Sequence, residues 1–181
     1  MNRTKTHRAS KTNAETGYEE QRTRNEKLGT RNYLESRREQ IILYAPLLIW
    51  IGLILFLGSG QGSMTQTSLI IRPILEFLFP TADELTLQLY HGFVRKLAHF
   101  TEYAILAFLS ARAFAGSSSQ TFRRFRFLIA FLVVVAVAGL DEFKQSFDPS
   151  RTGAGWDVVL DAFGGAAMLS LLALLARFRG A

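Results

Sequence analysis

The sequence of 181 residues contains no cysteine. Neither a disulfide framework nor a thiolate metal site can therefore form, and a metal ion would need histidine and carboxylate ligands. Residues 1–40 lack long apolar runs and carry ten Lys and Arg residues against six Glu residues. This composition predicts a disordered basic tail in the cytoplasm, with helix only from about Asn32 to Gln40.

The rest of the chain contains long apolar runs with few charges. An α-helix needs about 20 such residues to cross a hydrocarbon layer of about 30 Å. We predict membrane spans at about residues 41–58, 97–115, 127–147 and 156–176. The predicted fold is all-α, an integral membrane bundle of four transmembrane helices formed by residues 41–178.

A shorter apolar segment, Ser68 to Pro80, lies between the first two predicted spans. It is only 13 residues long and includes Arg72, Pro73 and Glu76. That length favours an interfacial or re-entrant segment over a membrane crossing. The sequence TADE that follows, residues 81–84, predicts a capping box that starts another helix.

Beyond the tail, basic and acidic residues lie in different connections between the predicted spans. The connection between spans two and three and the C-terminus have only basic residues, namely Arg112, Arg123, Arg124, Arg126, Arg177 and Arg179. All acidic residues beyond the tail lie in the other two connections or at the helix ends beside them. Because Lys and Arg in short loops stay in the cytoplasm, we predict a multi-pass protein of the inner membrane with both termini cytoplasmic.

This topology places polar residues from three spans at the outward face. On span two they recur every three or four residues, which lines them along one side of a helix. A charge deep in a bilayer costs about 2.5–3.5 kcal/mol or more, so we predict that they serve a shared site. Its candidate catalytic residues are His99, Glu102, Asp141 and Glu142, and its candidate ligand-binding residues are Lys96, Tyr103, Gln145, Arg151, Asp157 and Asp161.

Three segments carry a resemblance to a known family: KLAHFTEY at residues 96–103, DEFKQSFDPSR at 141–151, and DAFGG at 161–165, preceded by Asp157. In order and spacing they resemble the VanZ-like family, small polytopic bacterial membrane proteins named for a teicoplanin-resistance accessory protein. The resemblance covers about residues 41–178, although the family usually has Asn where this chain has Asp161. It implies association with the cell envelope, in some members reduced glycopeptide sensitivity, and no assigned reaction.

The residues leave the chemistry of the site open. In an enzyme, His99 would act as a general base oriented by Glu102 or Asp141, while Lys96 and Arg151 would hold a phosphate or carboxylate of a lipid-linked or cell-wall ligand. His99 with neighbouring carboxylates would alternatively suit a divalent cation. In a non-catalytic scaffold or partner-binding protein, the same charges would bind without turnover or pair with each other to hold the bundle together.

Two other functional classes are disfavoured. An ion carrier needs polar groups across the whole bilayer, but the first span is uncharged and no acid lies in the inner half of any span. Nucleic-acid binding is discounted because topology accounts for the basic excess and acids interrupt it. The predicted partner is the lipid bilayer, and cofactors and oligomeric state stay open.

Overall fold

The structure, a computed structural model, describes residues 3–58, 64–146 and 156–179. Within these ranges it consists of helices and contains no strand, which confirms the all-α prediction. The helices are α1 (Arg3–Phe56), α2 (Met64–Leu78), α3 (Glu84–Ala115), α4 (Gln120–Arg124), α5 (Arg126–Gln145) and α6 (Trp156–Arg179). The chain divides into two compact units, Met1–Ile42 and Leu43–Ala181.

The first unit is the N-terminal part of α1, which begins at Arg3 rather than near Asn32. Its described side chains are exposed, and Arg31 Nε donates to Glu35 Oε1 at 3.0 Å. A helix that buries no apolar face depends on intrinsic propensity and on such pairs, each worth about 0.2–0.5 kcal/mol. The structure thus describes a helix where composition predicts disorder, and the disordered tail stays a prediction.

Two helical segments are long and apolar enough to cross a membrane, Arg37–Phe56 and Trp156–Arg179. They coincide with the first and fourth predicted spans. In an apolar stretch of 18 residues within each segment, only 11% and 22% of the residues are buried inside the protein, whereas a core helix of a soluble protein is mostly buried. The other two predicted spans fall in α3 and α5, which carry charged residues within or beside their apolar stretches.

Helix α1 packs against α3 in the second unit. Leu43 lies so close to Gly116 that a β-carbon on this glycine would come within 2.7 Å of both Leu43 methyl groups. Further along α1, the Trp50 Nε1 donates a hydrogen bond of 3.0 Å to the backbone carbonyl of Glu102. Residue numbers rise along α1 as they fall along α3, so the two helices are antiparallel.

Helix α5 meets α1 where both helices end. The Lys144 Nζ donates to the backbone carbonyl of Leu55 at 2.7 Å. This places an ammonium group at the C-terminal, electronegative end of α1. Asp141 lies against Gly58, where an added β-carbon would overlap its carboxylate. Both contacts join the C-terminal end of α1 to the C-terminal end of α5.

Helix α6 fits between α3 and α5 through two adjacent glycines. A β-carbon on Gly164 would overlap the backbone carbonyl of Phe100 on α3. A β-carbon on Gly165 would come within 2.7 Å of a methyl group of Val134 on α5. Small residues permit this close approach, as in many membrane helix pairs. The beginning of α6 thereby lies beside the ends of α1 and α5.

Helix α2 and the N-terminal part of α3 form a hairpin outside the predicted spans. The cap of α3 is Asp83, whose carboxylate accepts a hydrogen bond of 3.0 Å from the Thr86 N–H, so Thr81 does not cap the helix as predicted. Arg72 binds both carboxylate oxygens of Glu84, at 3.1 and 2.6 Å, and ties α2 to α3. Helix α3 has 32 residues, about 48 Å, and the span predicted at 97–115 is only its C-terminal part.

Candidate functional site

The candidate site lies at the end of the bundle where α1 and α5 finish and α6 begins. Helix α3 passes this end at His99 and Glu102, one turn apart on the same side. The Gly164 contact with Phe100 brings the first turns of α6 beside them. Four helices therefore meet at this end of the bundle, whereas the sequence predicts a site shared by three.

His99 lies at the centre of the measured contacts. Its Nδ1 is 3.9 Å from Glu102 Oε2 on the same helix and 3.8 Å from Asp161 Oδ1 on α6. These distances suit ion pairs with a protonated imidazole but exceed hydrogen-bond length. The side chains of His99 and Glu102 are 24% and 29% exposed, whereas that of Asp161 is 5% exposed. The site thus has an accessible edge on α3 and a buried floor on α6.

Tyr103 forms part of the same floor. It is completely buried, and its hydroxyl makes no hydrogen bond with the described residues. Asp161 Oδ1 is also buried and makes no hydrogen bond with the described residues. Both groups have hydrogen-bonding capacity that a bound polar group would satisfy, since a buried polar atom without a partner costs about 1–3 kcal/mol.

Further carboxylates surround this floor. Asp141 is 3% exposed and lies against Gly58, and Lys144 on the same helix binds the end of α1. Asp141, Glu142, Asp157 and Glu102 all interact electrostatically with Asp161. Like charges this close in a medium of low dielectric constant need protons or a bound cation to offset their repulsion.

The remaining predicted site residues are placed differently. Lys96 lies on α3 with an exposed side chain. Gln145 is the last residue of α5, and its side chain is not described. Arg151 lies outside the described residues. The anion-binding role predicted for Lys96 and Arg151 therefore stays a prediction.

Two contributors were missed by the prediction from sequence. Trp50 fixes α1 to the Glu102 carbonyl, and Gly58 makes room for the Asp141 carboxylate. Gly58 had a visible signal, a glycine next to a second and third glycine at 60 and 62, but that pattern indicates only a helix end. The contact partner of a single tryptophan in an apolar span has no signal in the sequence.

The described residues do not include a group of three His, Asp or Glu side chains placed to hold a metal ion. The geometry does supply an imidazole nitrogen within 4 Å of two carboxylates, an arrangement that can take up and release a proton.

Comparison with known proteins gives one match. A family profile described as VanZ/LLP1 matches residues 41–176, which include α2 to α5 and most of α6. A search of curated proteins returned no significant match, and neither did a search of solved structures.

Proposed function

Because this chain belongs to the VanZ/LLP1 family, we propose that it is an inner-membrane protein whose outward polar site binds or acts on a cell-envelope or lipid-linked ligand. Family membership and the two apolar helices indicate a membrane protein. The proposal adds four spans with both termini in the cytoplasm. It is supported by the antiparallel packing of α1 and α3 and by the purely basic connection between α3 and α5.

The placement of His99 carries the functional part of the proposal. His99 lies within 4 Å of carboxylates on two helices, α3 and α6. Its surroundings therefore depend on how these helices pack and not only on residue spacing along α3. Its imidazole can accept a proton from a ligand, and Glu102 and Asp161 then stabilise the imidazolium. Catalytic contacts are often longer in the free protein than in the complex. The site can accordingly serve either a proton transfer or binding without turnover.

The test separates a ligand site from a structural cluster. Glu102→Gln and Asp161→Asn remove one charge each with little change of shape, and Glu39→Gln on the exposed tail is the matched control. We expect both site variants to insert and unfold like the wild type but to lose the envelope phenotype, for which glycopeptide susceptibility is the first assay. Loss of folding in both site variants, with Glu39→Gln unaffected, would instead support a structural scaffold.

Turnover is tested separately. Outer-leaflet lipids and cell-wall precursors are quantified by mass spectrometry in cells with the wild type and with Glu102→Gln. An enzyme changes at least one pool in a Glu102-dependent manner. Unchanged pools together with a lost phenotype would assign the site to binding alone.

The proposed topology is testable because the chain has no cysteine of its own. Single variants Ser118→Cys and Thr152→Cys place a thiol in the second and third connections between the predicted spans. A membrane-impermeant maleimide should label Thr152→Cys in intact spheroplasts and Ser118→Cys only after permeabilisation. The reverse pattern would overturn the outward position of the site.

A further inference from the structure

The floor of the site is rich in acceptors that the described residues leave unused. Asp161 Oδ1 and the Tyr103 hydroxyl are at least nine-tenths buried and lack a hydrogen-bond partner among the described residues. Tyr103 lies within electrostatic range of Asp161, Asp141 and Glu102, so its hydroxyl belongs to the same cluster. Polar atoms of this kind are usually paired in folded proteins, which makes them the groups a ligand would satisfy.

The charges around this floor favour a cationic ligand over an anionic one. Glu102, Asp141 and Asp161 are mutually within electrostatic range. The nearby ammonium of Lys144 is directed to the Leu55 carbonyl instead. A phosphate or carboxylate brought here would meet repulsion from all three acids, whereas a cation would reduce it.

The spacing of the acceptors fits a small donor that bridges them. Glu102 Oε2 and Asp161 Oδ1 both lie near the Nδ1 of His99, at 3.9 and 3.8 Å. Because both distances exceed hydrogen-bond length, a small polar group can lie between these side chains and form hydrogen bonds with them. An –NH₃⁺ group supplies three donors from one atom and forms charge-assisted hydrogen bonds with carboxylates. A quaternary ammonium has no N–H to donate.

We infer that this site recognises the primary ammonium group of its ligand, held by Asp161, Glu102 and the Tyr103 hydroxyl. The inference rests on the proposed function and names the chemical class of the ligand. The ammonium enters at the partly exposed His99 and Glu102 and reaches the buried acceptors behind them. Two sources share this chemistry, a phosphatidylethanolamine headgroup and a soluble amine such as the amino group of a cell-wall peptide.

The inference is tested by stabilisation of the full-length protein in detergent at constant ionic strength. Methylammonium is the probe, tetramethylammonium the control of equal charge without N–H donors, and Mg²⁺ the control for a metal site. Methylammonium should raise the melting temperature of the wild type and of Glu39→Gln, and tetramethylammonium should not. Asp161→Asn should weaken the apparent affinity for methylammonium about tenfold or more, the loss expected when a charge-assisted hydrogen bond is removed.

A second variant covers the case in which Asp161→Asn does not fold. Tyr103→Phe removes one hydroxyl and should weaken methylammonium binding about threefold to tenfold. Nanodiscs with and without phosphatidylethanolamine distinguish the sources. Stabilisation by the lipid alone assigns the ammonium to the headgroup, and stabilisation by methylammonium in its absence assigns it to a soluble amine.

Several outcomes would overturn the inference. They are equal stabilisation by tetramethylammonium and methylammonium, a response to Mg²⁺ alone, an unchanged response in both Asp161→Asn and Tyr103→Phe, or no stabilisation by either source. If no amine binds but Glu102→Gln still loses the envelope phenotype, the ligand class is wrong and the proposed function stands. If Glu102→Gln and Asp161→Asn keep the phenotype, the proposed function itself fails.

Discussion

Gly164→Ala should destabilise the bundle through a contact that cannot relax locally. The new β-carbon would overlap the Phe100 carbonyl and lie 3.1 Å from its Cα. These atoms belong to the backbone of α3, so α6 as a whole must move away. Overpacking of this kind costs about 1–3 kcal/mol, and alanine regains about 0.5–1 kcal/mol over glycine in a helix. We expect a net loss of up to about 2.5 kcal/mol.

Gly139→Ala is the matched control for this prediction. Gly139 also lies within a helix, α5, but no atom lies within 4 Å of an added β-carbon. The same substitution should therefore be neutral or stabilising by up to about 1 kcal/mol. Both variants are unfolded with sodium dodecyl sulfate from dodecyl maltoside micelles, followed by tryptophan fluorescence. If Gly164→Ala is as stable as Gly139→Ala, the close contact of α3 and α6 is refuted.

The neighbouring glycine tests the same reasoning with a contact that can be relieved. A β-carbon on Gly165 would lie 2.7 and 3.0 Å from the two methyl groups of Val134. Val134→Ala removes both methyls, so the double variant should be more stable than the sum of the single effects by at least about 0.5 kcal/mol. Additive effects would show that the glycine does not serve to admit Val134.

Three further predictions concern the other contacts. Gly58→Ala places a β-carbon on the Asp141 carboxylate and should cost about 1–2 kcal/mol in the same unfolding assay, so wild-type stability would contradict the contact. Trp50→Phe removes the 3.0 Å hydrogen bond to a carbonyl of α3 and should cost about 0.5–1.5 kcal/mol, whereas an unchanged midpoint would show that water replaces the bond. Hydrogen bonds from the side chain and backbone of Thr86 hold the pKa of Asp83 below its ordinary value. The cap should be fully formed above that ordinary value and be lost as pH falls through the lowered pKa. The protection factor of the Thr86 amide, which compares its exchange rate with the intrinsic rate at the same pH, should then fall, whereas in Asp83→Asn it should not change with pH.

The sequence predicts which residues share a helical face better than it predicts which helices those faces contact. The three- and four-residue spacing on α3 predicts that Lys96, His99, Glu102 and Tyr103 share one side, and His99 Nδ1 lies 3.9 Å from Glu102 Oε2. Helix α6 is described from Trp156 to Arg179 and contains the span predicted at 156–176. Helix α5 ends at Gln145, two residues before the predicted end of its span. Periodicity and apolar length determine such features, because both are local properties of the chain.

The lengths of α1 and α3 could not be obtained in this way. The polar segment from Glu84 to Lys96 does not resemble a membrane span, yet it continues the helix of residues 97–115 without a break. Asp83 starts this helix, and Arg72 holds α2 against it through Glu84. A tertiary ion pair between residues twelve apart has no periodic signature in the sequence. The same is true of the helix that begins at Arg3.

The motif DAFGG at residues 161–165 links the site to the packing of the bundle. In a lipid environment no hydrophobic force drives helices together, so close packing must supply the attraction that holds a buried acid in place. Asp161 is 4% exposed and stands one turn before Gly164 and Gly165, which contact α3 and α5. Because the glycines allow α6 to approach α3 closely, they determine the distance between Asp161 and His99. A substitution at Gly164 should therefore lower ligand affinity even though this residue carries no polar group.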